Sequence, residues 1–214
     1  RKPQTEVRQV GDKRIVVKTP AKLPYVLMAW HAPVLRDWDK DGEPYALQIL
    51  AGVLSGNDSA RLQKTLVKTS QLAIDASAGY DSVARGPGMF LIDATPAPGK
   101  KLEALELAIR AEIARIQKDG ISESELARVK AQVIAGEVYQ RDSLFYQAMQ
   151  LGEYVTAGLP PDALTHRVDK LRAVTADQVR EVARKWLVDD QLSIAELDPL
   201  PVQAQTRAAM PGAN

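Results

Sequence analysis

Residues 72–99, LAIDASAGYDSVARGPGMFLIDATPAPG, decide the fold class of this chain. Apolar residues at 72, 74, 76, 78 and 80 alternate with small or polar ones, which is the two-residue repeat of a half-buried strand. The repeat places Leu72, Ile74 and Ala76 on one face. A glycine–proline–glycine turn at 86–88 leads into a second apolar run, which a pair of prolines ends. The stretch predicts two antiparallel strands.

The residues before this hairpin predict two more strands and two helices. Short apolar runs at 13–18 and 25–30 indicate strands, since the first is rich in β-branched residues and prolines separate the two. Pro44 suits the first turn of a helix whose leucines form one stripe and which ends near Gly56. A shorter helix follows and ends near Thr69.

The residues after the hairpin are mainly helical. Leucine and isoleucine recur every three or four residues over 102–116, and Gly120 is the expected C-cap of that helix. The sequence Ser-Glu-Ser-Glu at 122–125 fits a capping box that opens the next helix. Further helices are predicted at 143–157, 162–172 and 175–186, and a last strand is predicted at 192–197.

The order of these elements predicts an α+β fold. The strands come as two pairs with helices between them and then a block of helices, which favours a mainly antiparallel sheet with helices packed on one face. With 214 residues, 45% of them hydrophobic, we expect a single domain over 1–198. Residues 199–214 are rich in Ala, Gln and Pro and are expected to fray as a tail. The start lacks Met, so the chain is expected to be cut from a longer one.

Composition excludes several classes of function. The formal net charge is only +1, so no bulk field attracts nucleic acid or an anionic membrane, and no apolar run approaches the roughly 20 residues of a membrane span. The absence of cysteine excludes disulfides and thiolate metal sites. His31 and His166 lie 135 positions apart, so no H-x-x-E-H motif can be written. We therefore predict no metal ligands and no catalytic residues in this chain.

Three groups of side chains could carry chemistry but have simpler structural explanations. No G-x-S-x-G motif exposes a nucleophile, and no cluster of carboxylates surrounds either histidine. We expect the two histidines to be structural or exposed, Ser59, Ser70 and Ser143 to serve as caps and turns, and Glu123, Glu125 and Glu137 to line a solvated helix face.

Six segments in order resemble one peptidase family. They are 52–62 (GVLSGNDSARL), 88–99 (GMFLIDATPAPG), 122–126 (SESEL), 139–143 (YQRDS), 156–160 (TAGLP) and 174–179 (VTADQV). In these segments the chain resembles the insulinase/pitrilysin family of zinc metallopeptidases, which includes the mitochondrial processing peptidases. Each segment alone is weak evidence for the family, but the order and spacing of the six together are specific to it. The resemblance extends from about residue 14 to residue 198.

The resemblance implies a fold and a role. Such peptidases are built from pairs of homologous domains with an antiparallel sheet flanked by helices, and only one domain carries H-x-x-E-H and the downstream Glu ligand. This chain is similar to the other, C-terminal and non-catalytic domain. The expected partner is a zinc-bearing catalytic domain, in the same chain or a separate subunit, facing this domain across a chamber that holds an extended peptide. An open strand edge suits that role. Bacterial relatives favour a periplasmic location.

One departure from the family affects the expected substrate contacts. Many members carry an Arg at the end of the second helix and a Tyr seven residues on, in a Gly-Leu-Ala-Tyr context, and this pair contacts the substrate. The matching positions here are Val67 and Ile74, neither of which can donate a hydrogen bond from its side chain. Lys68 is one residue off and could substitute in part. The alternative function is a catalytically inactive scaffold or interaction subunit of the same fold.

Overall fold

The computed structural model describes residues 7, 9–140 and 142–201. Within them the chain forms one five-stranded sheet and a set of helices. In chain order the elements are β1 (Lys13–Pro20), β2 (Tyr25–Ala32), α1 (Glu43–Ser55), a π-helix (Gln63–Thr69), β3 (Ala73–Tyr80), β4 (Gly88–Pro96), α2 (Leu102–Asp119), α3 (Glu123–Gln140), α4 (Leu144–Ala157), α5 (Ala163–Ala173), α6 (Ala176–Trp186), a 3₁₀ turn (Asp189–Gln191) and β5 (Leu192–Leu200).

The strand order is β1-β5-β2-β4-β3. The β2–β4, β3–β4 and β2–β5 pairs are antiparallel, which confirms the mainly antiparallel sheet, whereas β1 pairs with β5 in parallel. The predicted antiparallel pairing of β3 with β4 is confirmed, while β1 and β2, which are neighbours in the sequence, are separated in the sheet by β5. Because β5 lies inside the sheet, its residues Leu192 and Ile194 are buried. Every residue of β1 is exposed, because β1 is an edge strand.

The helices pack on one face of the sheet, as predicted. Side chains of β2 alternate between buried and half-buried, and Val26, Met28 and Trp30 belong to the buried set. They form one core with Phe90 and Ile92 of the neighbouring strand and with the apolar sides of α1, α2 and α6. One face of the sheet is thus covered and the other is left for contacts outside the helical layer.

Capping groups fix the helix ends close to the predicted positions. Gly120 ends α2 with φ +72°, a conformation that glycine adopts without the cost of a Cβ. Ser122 accepts a bond from the Glu125 backbone N–H at 3.2 Å, and Thr175 and Gln178 form a reciprocal capping box at the start of α6. Ser143 caps α4 as expected.

The end of β5 lies beyond the predicted domain boundary. Pro199 and Leu200 extend β5 and are aligned with Thr19 and Pro20 of β1. Most of the predicted tail, from 202 to 214, lies outside the described residues. Among the residues that are described, no helix combines the length and apolar composition needed to cross a membrane.

Candidate functional site

The second face of the sheet carries no fully buried side chain at any described position, and we call it the open face. Half-buried apolar residues, Leu27 and Leu91 among them, lie at its centre. Register places the following side chains on this face: Ile15 and Val17 of β1, Ala195 and Leu197 of β5, Tyr25, Leu27 and Ala29 of β2, Met89, Leu91 and Asp93 of β4, and Asp75 and Ser77 of β3.

A polar cluster of Tyr25, Ser77 and Asp93 interrupts the apolar open face. Ser77 is paired with Asp93 across the β3–β4 ladder, and its hydroxyl donates to the carboxylate. Burial raises the pKa of Tyr25 to about 12, and the charge of Asp93 and the hydrogen bond to it contribute in the same direction. The phenol therefore stays neutral at ordinary pH. The cluster therefore offers a neutral phenol, a hydroxyl and a carboxylate as hydrogen-bonding groups on an otherwise apolar surface.

The two edges of the sheet differ in their availability. On β3, the Ser55 hydroxyl donates to the carbonyl of Ala78 at 2.9 Å and accepts from the N–H of the same residue at 2.7 Å. Gln63 of the π-helix donates to the carbonyl of Ala76 at 2.9 Å. These bonds occupy backbone groups that a paired peptide needs. Among the described residues β1 is the other edge strand, so the predicted open strand edge corresponds to β1 rather than to this part of β3.

The three predicted substrate contacts lie at the junction between the π-helix and β3. Val67 is half-buried against the core, and Lys68 in the same helix directs its ammonium to the Asp58 carbonyl at 2.6 Å. Ile74 lies across the following turn in β3. The structure thus places the three positions on two neighbouring elements. The Lys68 ammonium, however, binds the Asp58 carbonyl rather than any group of β3.

A β-bulge reverses the expected orientation of Ile74. The register shifts between Ala73, which pairs with Pro96, and Asp75, which pairs with Thr95. The extra residue breaks the two-residue repeat, so Ile74 is 48% exposed while Ala73 and Ala76 are buried. The expectation that Ile74 shares a face with Ala76 is wrong for this reason.

Comparison with known proteins identifies the family. A family model described as the peptidase M16 inactive domain matches residues 1–133, which is more than half of the chain. The chain belongs to this family. A curated relative, the zinc protease PqqE of Helicobacter pylori (strain ATCC 700392 / 26695), is 26% identical over 195 residues, covering 91% of this chain. The chain spans only 43% of that relative's length.

Solved structures share the fold of this M16 inactive domain. A protease from Helicobacter pylori superposes with a TM-score of 0.82 at 24% identity, over 90% of this chain and 46% of that one. The inactive peptidase domain of a putative zinc protease from Bordetella parapertussis superposes with a TM-score of 0.75 at 19% identity. The match covers 89% of this chain and 98% of that one. The periplasmic protease PqqL from Escherichia coli superposes with a TM-score of 0.68 at 20% identity. The match covers 93% of this chain and 21% of that one.

Two glutamates of the M16 inactive domain are paired rather than solvated. Glu137 of α3 lies 2.9 Å from the Arg167 guanidinium of α5, and Glu125 lies 2.8 Å from Arg61. Burial lowers the pKa of Arg167, but Glu137 and Tyr154 together raise it by more, so the net shift is upward. The expected solvated helix face is wrong for these two residues, because elements distant in the sequence place arginines against them.

No residue set in the described part of the M16 inactive domain fits zinc. It contains no group of three His, Cys, Asp or Glu side chains able to hold a metal ion. His166 stacks on Trp38 with ring centroids 4.3 Å apart, and His31 lies half-buried at the end of β2. Glu137 faces a guanidinium, which already supplies its counter-charge. No chemical step on this chain is therefore assigned to zinc.

Proposed function

We propose that this M16 inactive domain forms the non-catalytic wall of a peptidase chamber. The wall faces a zinc-bearing catalytic domain, which lies in the same chain or in a separate subunit. When bound in that catalytic domain, zinc supplies an activated water for peptide hydrolysis. The chain described here contributes binding surface only, and by itself it is inactive.

The open face is the observation that carries this proposal. Helices cover one side of the sheet, whereas the other presents half-buried Leu27 and Leu91 around the polar cluster of Tyr25, Ser77 and Asp93. An antiparallel sheet with one partly apolar face left uncovered is suited to bind a second surface. An extended peptide can lie across it or pair with the free edge of β1. The relatives' description as zinc proteases supports the same role.

A second candidate function, an inactive scaffold subunit, is favoured by one observation. Val67 and Ile74 replace the expected Arg and Tyr, and the nearby Lys68 ammonium bonds to the Asp58 carbonyl. A scaffold of this kind holds its partner but does not change the rate of peptide hydrolysis. The two candidates therefore differ in activity rather than in binding.

The first test uses the isolated domain. We expect purified protein to contain less than stoichiometric zinc by elemental analysis and to leave unfolded peptides intact. Stoichiometric zinc together with peptide cleavage overturns the proposal.

The second test adds the catalytic domain of the parent peptidase in trans. We expect the M16 inactive domain to stimulate hydrolysis and Leu91→Arg on the open face to abolish the stimulation. Leu107→Arg is the matched control, because Leu107 is exposed on α2 in the helical layer. Complex formation without a change in hydrolysis supports the scaffold instead.

A periplasmic location is part of the proposal. The structural likeness to a periplasmic protease supports it. Release of the parent protein by osmotic shock, with retention of a cytoplasmic marker, is the expected result.

A further inference from the structure

A cavity of about 390 Å³ lies between α2 and α6, and we call it the Trp30 cavity. Its apolar wall comes from the indole of Trp30 in β2, from Ile113 and Ala114 of α2, and from Leu187 and Val188 after α6. The Trp30 side chain faces the helical layer, so the cavity lies on the opposite side of the sheet from the open face. The proposed chamber role does not use it.

The volume and lining of the Trp30 cavity are those of a small-molecule site. Ligand pockets in proteins typically enclose roughly 300–1,000 Å³ and combine an apolar wall with a few polar groups. Here the polar groups belong to Arg110 and Gln117 of α2, Arg184 of α6 and Asp189 beyond it. The Gln117 amide donates to the Leu187 carbonyl at 2.9 Å, which ties α2 to the end of α6 and holds the two sides of the cavity together.

Trp30 brings a buried hydrogen-bond donor to this cavity. The residue is 2% exposed, and its indole Nε1 has no hydrogen-bond partner among the described residues. A buried indole N–H normally binds an acceptor, because an unmade bond leaves the donor desolvated without compensation. The Trp30 cavity is the space beside the ring from which an acceptor on a bound molecule can approach it.

The two arginines of the cavity each keep one guanidinium nitrogen for a ligand. Arg110 donates through Nε to Glu106 at 2.9 Å and through Nη1 to Asp189. Arg184 donates through Nε to the Gln117 carbonyl at 2.5 Å and through Nη1 to a carboxylate of its own helix at 3.2 Å. Within the part of the chain that the structure describes, no bond engages Nη2 of either arginine.

The charges around the Trp30 cavity favour an anionic ligand. Its lining holds two guanidinium groups and one carboxylate, that of Asp189, whose side chain is 80% exposed. The other two carboxylates that bind these arginines are each shared with a second arginine. Glu106 also lies 2.8 Å from Arg14, and Glu181 also lies 3.7 Å from Arg180. A carboxylate suits such a site, because it accepts strong hydrogen bonds and matches the planar guanidinium group.

We propose that the Trp30 cavity binds a small carboxylate with an apolar body. The carboxylate accepts hydrogen bonds from Arg110, Arg184 and the indole of Trp30, and the apolar body packs against Ile113 and Leu187. A free organic acid and the C-terminus of a peptide both present this chemistry. The proposal does not depend on the peptidase role.

The first experiment follows the indole N–H signals of the three tryptophans in a proton–nitrogen NMR spectrum of the 214-residue chain. Trp30→Phe assigns the buried signal, and Trp186, whose Nε1 donates to Glu43 at 3.1 Å, is the internal control. We expect isocaproate and N-acetylleucine, each added to about 10 mM at constant ionic strength, to shift the Trp30 signal saturably and to leave that of Trp186 in place. N-acetylleucine amide, which lacks the carboxylate, is expected to shift neither.

A second experiment removes one guanidinium group. Arg184→Gln is expected to weaken the binding of both acids at least about tenfold, because a charge-assisted hydrogen bond is lost. Arg172→Gln, whose side chain is 60% exposed and lies outside the cavity, is the matched control and is expected to bind as the unchanged chain does. Circular dichroism confirms that the variants are folded. If Trp30→Phe does not fold, Trp38→Phe and Trp186→Phe assign the Trp30 signal by exclusion.

The two acids distinguish the sources of the carboxylate. Tighter binding of N-acetylleucine identifies the C-terminus of a peptide, whereas tighter or equal binding of isocaproate identifies a free acid. A Trp30 signal that neither acid moves at about 10 mM overturns the proposal. Binding of the amide as tightly as the acid, or unchanged binding by Arg184→Gln, likewise excludes the proposed carboxylate site.

Discussion

The Arg167 guanidinium and the Glu137 carboxylate lie 2.9 Å apart, and each side chain is only 12% exposed. The same guanidinium donates to Gln48 of α1, to Tyr154 of α4 and to Ser82 of the β3–β4 connection, at 2.9 to 3.1 Å. One arginine therefore joins three helices and a loop to its own helix. The bond from Arg167 to the Tyr154 hydroxyl ties α4 to this buried pair.

Glu137→Gln is expected to destabilise the domain by about 3 kcal/mol. Removing one partner of a buried pair leaves the other charge without compensation, which typically costs about 3–5 kcal/mol, and the amide recovers part of this. Urea denaturation measures the change. Asp169→Asn is the matched control: its i,i+3 pair with Arg172 is largely exposed, and about 0.5 kcal/mol or less is expected. Equal losses in the two variants contradict a special role for the buried pair.

Gln71→Gly is expected to stabilise the domain by about 0.5–1 kcal/mol. Gln71 is the one described non-glycine residue with positive φ, at 51°, in the turn between the π-helix and β3. A Cβ in this conformation costs roughly 1–2 kcal/mol, and the flexibility of glycine in the unfolded chain offsets part of the gain. Thermal unfolding of Gln71→Gly beside Gln71→Ala, which keeps the Cβ, measures the effect. A stabilised alanine variant would show that φ is not the cause.

Ser55→Ala is expected to open the β3 edge. Both backbone groups of Ala78 lose their hydrogen-bond partner, and each unmade bond costs about 1 kcal/mol or more. Faster hydrogen exchange at the Ala78 amide and a greater tendency to aggregate are the expected results. Ser124→Ala, which removes only an exposed contact with Ser122, is the control. Unchanged exchange at Ala78 would mean that the serine does not protect the edge.

The domain is expected to lose stability between about pH 10 and pH 12. Burial, and then Asp93, raise the pKa of Tyr25 to about 12, and burial raises that of Tyr45 to about 12 as well. The folded state holds these protons more tightly than the unfolded state, so the contribution is complete below pH 10 and is lost as the pH rises through 12.

Asp93→Asn separates the causes of the Tyr25 shift. Loss of the carboxylate charge is expected to lower the pKa of Tyr25 toward 10 without restoring it fully, because burial is the larger cause. Ultraviolet titration of the folded protein, with Tyr25→Phe to assign the signal, measures this. An unchanged titration in Asp93→Asn excludes the hydrogen bond.

The sequence predicted the helices well because their signals are local. The Thr175–Gln178 capping box and the Gly120 C-cap lie within a few residues of the ends that they define. By contrast, the pairing of β1 with β5 joins residues about 180 positions apart, and no local pattern carries that information.

The candidate site shows the same limit. Asp93 and Ser77 occupy polar positions in alternating strands, so their pairing could have been found from the hairpin register. The bulge at Ile74 could not have been predicted in this way, because it depends on how the turn at Gln71 leads into β3. The Glu137–Arg167 pair depends on the packing of α5 against α3, which the charge pattern of either helix does not show.

The central position of β5 has a consequence for how the domain is made. Within the part of the chain that the structure describes, β1 pairs with β5 alone, and β5 is the last strand. Among the described strands, β1 is therefore synthesised first and β5 last, so β1 can join the sheet only after β5 has been made. Any truncation upstream of Leu192 removes the strand that attaches β1. Incorporation of β1 therefore requires that synthesis has passed β5.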